Sequence, residues 1–218
     1  MASSSTILIL SAWEPEIAQL RAWLARPAAR ALARSVRCRP VGVGVVDAGI
    51  GAARAIADVA PDRVIFVGTA GSYVVTGGAL PIGTVALPDE AVLCSTATLR
   101  AEGYLPAPMV QRAPVAADLL ADLRRAAPEA ARGNVATLLA ITRTASLARR
   151  IARATGAVAE NLEAFAVARA AARTDVPAAV VLGIANRVGP RAHSEWRRHH
   201  EAASKAACQV VWACLRDT

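Results

Sequence analysis

Short apolar runs rich in Val and Ile alternate along the chain with longer stretches rich in Ala and Arg. The runs have the length of strands buried on both faces, and they predict strands at residues 6–11, 41–47, 63–68, 83–87, 135–142 and 178–184. The intervening stretches predict helices at residues 14–33, 51–59, 115–127, 146–154, 163–173 and 194–215. Strands that alternate with such helices predict an α/β fold, with a mixed, mostly parallel sheet flanked by helices on both faces.

The size and composition of the chain favour one globular unit. With 218 residues, of which 55% are hydrophobic, the chain has enough apolar material for one substantial core. We therefore expect a single domain over residues 1–218. The first six residues contain no Lys or Arg and lead directly into a predicted strand, so neither a signal peptide nor a spanning helix is predicted. We expect a cytoplasmic protein with no membrane partner.

The charge balance is basic, but its distribution does not favour nucleic-acid binding. The formal net charge is +8, yet Lys205 is the only lysine and the arginines are scattered among alanines. Aromatic residues interleaved with basic ones, as a base-stacking surface needs, are absent. An Arg- and Ala-rich composition explains the charge better, with a few arginines left for an anionic substrate.

The four cysteines give no sign of a metal or redox centre. They lie at positions 38, 94, 208 and 214, with no Cys-x-x-Cys spacing and no histidine at metal-ligand spacing. We interpret them as small core residues and expect neither a metal nor a cofactor.

Three polar residues lie beside the ends of segments that look like buried strands, at positions where ligands bind in parallel sheets. Glu16, Glu163 and Asn186 each lie beside a strand end, and the ligand crevice of such sheets lies outside the carboxyl ends of the strands. Glu163 has apolar neighbours on its helix, so its carboxylate needs a hydrogen-bond donor such as a ligand hydroxyl. Simple capping remains open for Glu16 and Asn186, and it is the favoured interpretation of Glu160.

Other local signals are weak. Segment 49–51 is not a dinucleotide fingerprint, because Arg54 stands where the third glycine is required. Segment 68–71 contains two glycines at the end of a predicted strand, which let the backbone approach a ligand closely. The histidines, at positions 193, 199 and 200, fall on an Arg-rich helix and are interpreted as surface residues.

Six segments, in order along nearly the whole chain, carry a family resemblance. They are Ala12-Trp13-Glu14-Pro15-Glu16, Asp47-Ala48-Gly49-Ile50-Gly51, Gly68-Thr69-Ala70-Gly71, Ile82-Gly83-Thr84-Val85 with Asp89-Glu90-Ala91, the segment around Glu163, and Ile184-Ala185-Asn186. Together they resemble the purine nucleoside phosphorylase and nucleosidase superfamily, and within it the methylthioadenosine nucleosidase and futalosine hydrolase branch.

The resemblance implies specific roles for residues of this chain. Glu16 matches the acid that activates the attacking water, and Glu163 matches the acid that binds ribose hydroxyls. Leu162 stands where a methionine usually packs on the sugar. The remaining positions implied to bind substrate are Thr69, Ala70 and Gly71 at the end of a strand, Thr142 at the base pocket, and Arg191.

Two departures from the family pattern bear on the substrate. Asn161 stands where nucleosidases often have another acid, and Asn186 replaces the aspartate that protonates N7 of adenine. A carboxamide pairs with O6 and N7 of a 6-oxopurine through its donor and its acceptor, so Asn186 points towards hypoxanthine or guanine. Futalosine is an inosine derivative with a benzoate, whose carboxylate Arg187 or Arg191 would meet.

The resemblance implies a nucleosidase that hydrolyses the N-glycosidic bond of a 6-oxopurine nucleoside such as futalosine, in the menaquinone pathway, and releases hypoxanthine. Three alternatives remain open: a purine nucleoside phosphorylase, a methylthioadenosine/S-adenosylhomocysteine nucleosidase, and a nucleoside-binding protein that has lost catalysis. The phosphorylase is disfavoured because Trp13 and Pro15 occupy the turn where such enzymes have glycine and arginine. The resemblance also implies a homodimer.

Overall fold

The computed structural model describes residues 5–75 and 77–217. Its strands are β1 (Ile7–Ser11), β2 (Val36–Pro40), β3 (Arg63–Ser72), β4 (Val74–Val75), β5 (Gly78–Ala79), β6 (Val85–Ala86), β7 (Glu90–Leu93), β8 (Arg112–Pro114), β9 (Asn134–Thr137), β10 (Ala157–Glu160) and β11 (Ala178–Arg187). Its α-helices are α1 (Ala18–Leu24), α2 (Arg30–Ser35), α3 (Val45–Val59), α4 (Thr96–Leu99), α5 (Ala117–Ala126), α6 (Ala145–Thr155), α7 (Ala164–Ala172) and α8 (Ala192–Arg216). Two short 3-10 helices lie at Glu14–Glu16 and Pro27–Ala29.

A mixed sheet of nine strands organises the described residues, and β3 lies at its centre. The order along one path is β2-β1-β3-β10-β9-β7-β8, while β11 pairs with both β3 and β6. The ten-residue β3 has three partners, because its first half pairs with β1, its last two residues pair with β10, and β11 runs along its other edge. Five of the eight strand pairings in this sheet are parallel, which confirms the predicted fold class.

Alternate side chains of the central strands pack into two separate cores. In β3, Val64 and Phe66 pack with helices α3 and α7 on one face, whereas Ile65 and Val67 pack with α5 and α8 on the other. Strands buried on both faces have no polar side to expose, so they produce the apolar runs from which the sequence predicts them. Among the described helices, none has the length and apolarity needed to cross a bilayer.

The predicted helix over residues 14–33 is wrong. The chain instead forms two short α-helices, α1 and α2, separated by the 3-10 helix at Pro27–Ala29. The ring of Pro27 disfavours a helical conformation at the preceding residue, and Arg26 is extended with φ −69° and ψ 142°. Proline therefore interrupts a stretch whose Ala-rich composition favours a helix.

The predicted strand over residues 41–47 is also wrong. The strand in this region is β2, which ends at Pro40, and α3 already begins at Val45. Gly42 and Gly44, with φ of 106° and 86°, form the turn between them, a conformation that residues with a side chain rarely adopt. Strand β2 lies at the edge of the sheet and its burial alternates, so it lacks the apolar run that would have predicted it.

Besides β2, three strands of the sheet, β7, β8 and β10, are absent from the sequence-based prediction. The last has the sequence Ala-Val-Ala-Glu, whose alanines favour a helix locally. Pairing with β3 and β9 makes this segment a strand. The strands predicted at residues 83–87 and 135–142 are present but shorter, as β6 and β9.

Candidate active site

A cavity of about 390 Å³ lies where β1, β3, β10 and β11 end. Apolar residues form much of its wall, and the polar residues of the lining are Glu16, Thr69, Glu160, Asn161, Glu163 and Asn186, with His193 near the start of α8. A concave, largely apolar cavity with a few converging polar groups is typical of a small-molecule site.

Glu16 lies in the 3-10 helix that follows β1 and is only 5% exposed. Its Oε1 accepts hydrogen bonds from the Thr69 amide at 2.9 Å and from the Thr69 hydroxyl at 3.1 Å. Its Oε2 accepts one from the Ala12 amide at 3.2 Å. The carboxylate is therefore fixed between the ends of two adjacent strands, β1 and β3.

Burial raises the pKa of Glu16 from its ordinary value of 4.5 to about 7. Loss of hydration is the largest cause, the negative charge of Glu163 adds to it, and the hydrogen bonds from Thr69 and Ala12 oppose it. A carboxyl group with a pKa near 7 takes up and releases protons readily at neutral pH, which suits a general acid or base.

Glu163 lies directly before α7 and is 4% exposed. Its Oε1 accepts a hydrogen bond from the Gly44 amide at 2.8 Å, and burial raises the pKa of this carboxyl. The Asn161 Oδ1 accepts hydrogen bonds from the amides of Glu163 and Ala164 at 2.9 and 2.7 Å, while its Nδ2 donates to the Thr69 carbonyl at 3.0 Å. Asn161 therefore accepts from the amides at the start of α7 and ties this segment to β3, a role for which an acid would lack the donor.

Asn186 is delivered to the cavity by an irregularity in β11. The register between β11 and β3 shifts between Ile184 and Asn186, which places Asn186 opposite Gly71. A Cβ at position 71 would lie 2.7 Å from the Asn186 Nδ2, so the glycine makes room for the carboxamide. One Nδ2 hydrogen is donated to the Arg187 carbonyl at 3.0 Å, and Nδ2 carries a second.

Glu160 is not a helix cap, and the interpretation favoured by the sequence is wrong. It lies in β10, at the cavity wall, and is 6% exposed. Its Oε2 accepts a hydrogen bond from the Tyr73 hydroxyl at 2.7 Å, and its Oε1 accepts one from the Thr142 amide at 3.0 Å. Burial raises the pKa of Glu160 despite these bonds. Because β10 itself was missed, the sequence offered no signal for this position.

Aromatic rings form the wall beside Glu16. Trp13 and Trp196 line the cavity with ring centroids 6.1 Å apart, and His200 stacks on Trp196 with centroids 4.4 Å apart. His193 is exposed, as the sequence predicts for a surface residue, and it also lies at the wall of the cavity. Aromatic residues are only 4% of the chain, and this scarcity was the available signal that Trp13 and Trp196 have a special place.

Most of the residues singled out from the sequence converge on this cavity. Those that line it are Glu16, Thr69, Ala70, Gly71, Leu162, Glu163 and Asn186. The structure does not bring Thr142 and Arg191 into this lining. The Thr142 side chain is buried behind the wall, and the Arg191 side chain is 79% exposed, 3.5 Å from Glu195.

The described residues contain no group of three or more His, Cys, Asp or Glu side chains arranged to hold a metal ion. Cys38, Cys208 and Cys214 are buried and Cys94 is half-buried. Burial raises the pKa of the Cys38 thiol to about 11 and that of Cys208 to about 12, which disfavours reactive thiolates at these positions.

A family model and a related sequence identify the family to which this chain belongs. The model of the phosphorylase superfamily matches residues 6–216. Futalosine hydrolase from Streptomyces coelicolor is 32% identical over 174 residues, which cover 72% of this chain and 73% of that protein.

Solved structures share the fold over nearly the full length. Futalosine hydrolase from Helicobacter pylori has a TM-score of 0.85 at 16% identity, with 99% of both chains covered. The 5′-methylthioadenosine/S-adenosylhomocysteine nucleosidase from Neisseria meningitidis, in complex with methylthio-immucillin-A, has a TM-score of 0.84 at 20% identity, with 98% of this chain and 100% of that chain covered. At these identities the likeness establishes the fold.

Proposed function

Because this chain belongs to the phosphorylase superfamily, we propose that it hydrolyses the N-glycosidic bond of a purine nucleoside. The observation that carries the proposal is the buried Glu16 carboxyl, with a pKa of about 7, in one cavity with Glu163. Its relative from Streptomyces coelicolor supports a 6-oxopurine nucleoside, futalosine or a close analogue, as the substrate. The base product would then be hypoxanthine.

Glu16 acts as the general base in this proposal. Its two oxygens are held by Thr69 and Ala12, so one carboxylate lone pair is presented to the cavity in a fixed direction. In its ionised form Glu16 takes a proton from water as the water attacks the anomeric carbon of the sugar. The pKa near 7 makes this group basic enough to assist proton removal and still largely ionised at mildly alkaline pH.

Glu163 meets the sugar and opposes the developing positive charge. Glycosidic cleavage passes through an oxocarbenium-like transition state, which a nearby carboxylate stabilises most where water is excluded. One oxygen of Glu163 is already held by Gly44, and burial leaves the carboxylate short of solvation. Ribose hydroxyls supply the missing donors, and Leu162 packs beside them.

Asn186 selects and stabilises the departing base. Its position opposite Gly71 places the carboxamide in the cavity lining at the end of β3. As the bond to the sugar breaks, N7 of the base takes up a proton from solvent; the second hydrogen of Nδ2 is then donated to O6 and Oδ1 accepts from N7–H. An adenine protonated at N7 presents donors at both N6 and N7, which leaves Nδ2 without an acceptor.

Water is the proposed nucleophile in preference to phosphate. The turn after β1 holds Trp13 and the buried acid Glu16, whose negative charge disfavours an anion at the same position. No arginine or lysine is among the residues that line the described cavity.

The proposal includes a homodimer. Large apolar side chains are exposed before and on α3 and in the segment after β9, at Val43, Val46, Ile50, Leu139 and Ile141. Val43 and Ile141 also line the cavity, so a second copy that covers this surface would close the site.

The test is base release by the purified protein from futalosine, inosine and methylthioadenosine, each with and without phosphate, followed by chromatography. We expect hypoxanthine from futalosine without phosphate. Dependence on phosphate would instead identify a phosphorylase, and preference for methylthioadenosine would contradict the assigned role of Asn186. Binding of these nucleosides without any base release would identify a protein that has lost catalysis.

Glu16→Gln is the decisive variant. We expect turnover to fall by roughly 10²–10⁴-fold, because Gln cannot accept the proton of water. Glu14→Gln is the matched control, since Glu14 lies in the same 3-10 helix but is exposed and paired with Arg21 at 2.8 Å. Near-normal turnover in Glu16→Gln would end the assignment.

A further inference from the structure

The indole of Trp196 is hydrogen-bonded to Thr69, the residue that donates two hydrogen bonds to Glu16. Trp196 lies on α8, is partly buried, and lines the cavity. Its Nε1 donates a hydrogen bond to the Thr69 Oγ1 at 3.1 Å. The same Oγ1 lies 3.1 Å from the Glu16 Oε1. A continuous chain of hydrogen bonds therefore joins α8 to the carboxylate.

The direction of this chain follows from the chemistry of its members. An indole nitrogen only donates, and an ionised carboxylate only accepts. The Thr69 hydroxyl has one hydrogen, so while it accepts from Trp196 it must donate that hydrogen to Glu16. Without Trp196 the hydroxyl is free to rotate and to donate elsewhere.

We propose that Trp196 is a positioning residue, which fixes the Thr69 hydroxyl as a donor to Glu16 and so holds the general base ready for reaction. The inference rests on the proposed function, because it assigns a purpose to the orientation of Glu16. It goes beyond that function because it gives a positioning role to Trp196, which lies on α8, far from Glu16 in the sequence.

The surroundings of Trp196 make it suited to this task. His200 stacks on its ring at 4.4 Å, and Trp13 and His193 lie at centroid distances of 6.1 and 6.2 Å. Helix α8 also reaches the Glu16 segment through Cys208, whose Sγ donates to the Glu16 carbonyl at 3.2 Å. The helix thus contacts both the side chain network and the backbone of the general base.

Loss of the indole N–H should change the pH at which Glu16 ionises. The Thr69 side chain is one of the groups that lower the pKa of Glu16, against burial and the charge of Glu163. Cys208 is a further titratable group against this segment, Glu14 lies in the same 3-10 helix, and His193 and His200 face Trp196. When the Thr69 hydroxyl is no longer held, the pKa of Glu16 rises and a smaller fraction of the base is ionised at low pH.

The test is the pH profile of kcat for Trp196→Phe, which keeps a ring at the cavity wall and removes the donor. We expect the midpoint of the acidic limb to move up by roughly 0.5–1 pH unit. The loss of kcat is then roughly 3–10-fold at pH 6 and less than about 2-fold at pH 9. An equal loss at both pH values, or an unmoved midpoint, would overturn the proposal.

Two further variants separate positioning from a general effect on the fold. Trp212→Phe changes the other tryptophan of α8, which packs against Trp23 at a centroid distance of 5.7 Å, and should leave the profile unchanged. In a Thr69→Val background, Trp196→Phe should add no further displacement of the midpoint. An additional displacement there would show that Trp196 acts by another route.

A titration that needs no substrate keeps this inference separate from the proposed function. Carboxyl-labelled glutamate, with the Glu16 signal assigned by its loss in Glu16→Gln, reports the protonation of Glu16 directly by ¹³C NMR. We expect a higher midpoint in Trp196→Phe than in the parent protein. If the parent releases no base from any nucleoside but this difference appears, the proposed function fails and the positioning role stands.

Discussion

At the residue scale, the site consists of polar side chains whose burial is only partly compensated within the protein. Glu16, Glu160 and Glu163 are each at most 6% exposed, and burial raises the pKa of all three carboxyls. Backbone amides supply donors to each, but no Arg or Lys pairs with them in the described residues. Such groups weaken the folded state and are commonly retained where they serve chemistry.

Glu16 should therefore make stability depend on pH. Its folded pKa of about 7 lies above the ordinary 4.5, so the ionised form opposes folding, and stability falls as pH rises through this interval. Between pH 5 and pH 8, we expect the free energy of unfolding of the parent to fall by roughly 2–3 kcal/mol relative to that of Glu16→Gln. The slope is about 1.4 kcal/mol for each pH unit between the ordinary and the raised pKa.

Thermal unfolding of both proteins at the two pH values measures this difference, expected as a change of about 5–10 °C in the Tm gap. The Gln side chain loses the bond from the Ala12 amide, but that cost is the same at both pH values and cancels. A Tm gap that does not vary with pH would contradict the raised pKa.

Asn186 should control the choice of base. In Asn186→Asp the bridging carboxamide is replaced by an acid that donates to N7 of adenine when protonated. We expect the ratio of kcat/KM for methylthioadenosine over futalosine to rise by roughly 10-fold or more. Steady-state kinetics with both substrates measures the ratio, and a uniform loss on both substrates would assign Asn186 a structural role.

At the element scale, the site depends on how strands end. The register shift in β11 turns Asn186 onto Gly71, and β10 brings Glu160 to pair with the same Gly71 from the other edge of β3. The helices then complete the wall, α7 through Asn161, which binds the amides at its start, and α8 through Trp196. Neighbouring elements thus hold each functional group in place, as preorganised electrostatics requires.

At the scale of the whole molecule, one sheet connects every wall of the cavity. The strands that contribute to the site all pair directly with β3 or are β3 itself. Helices pack on both faces of this sheet around two cores, and we propose that these elements form one domain. The cavity opens beside the exposed apolar surface at Val43, Val46 and Ile50, so assembly and activity are expected to be coupled.

This coupling is testable with Ile50→Glu, which places a charge on the exposed face of α3. We expect the parent to have twice the 22.5 kDa chain mass in sedimentation analysis, and the variant to dissociate and lose activity. Ala121→Glu is the control, because Ala121 is exposed on α5, which covers the opposite face of the sheet. A monomeric parent, or an Ile50→Glu dimer of normal activity, would contradict the proposed interface.

The sequence by itself determined the fold class and most of the site. Strands buried on both faces must be apolar throughout, so β1, β3 and β11 were readable from local composition. The carboxyl ends of parallel strands share one edge, which is why Glu16 and Asn186 were expected together although they lie far apart in the chain. Their roles in catalysis stay predictions.

Only the tertiary structure decided the features that depend on non-local contacts. The Ala-rich β10 is a strand because of pairing across the sheet, and that pairing brings Glu160 to the cavity. Trp13 and Trp196 meet because α8 packs against the 3-10 helix Glu14–Glu16, which directly follows Trp13, and no local pattern encodes that approach. Periodicity records which face of an element is buried, whereas the partner that buries it is fixed by the assembled fold.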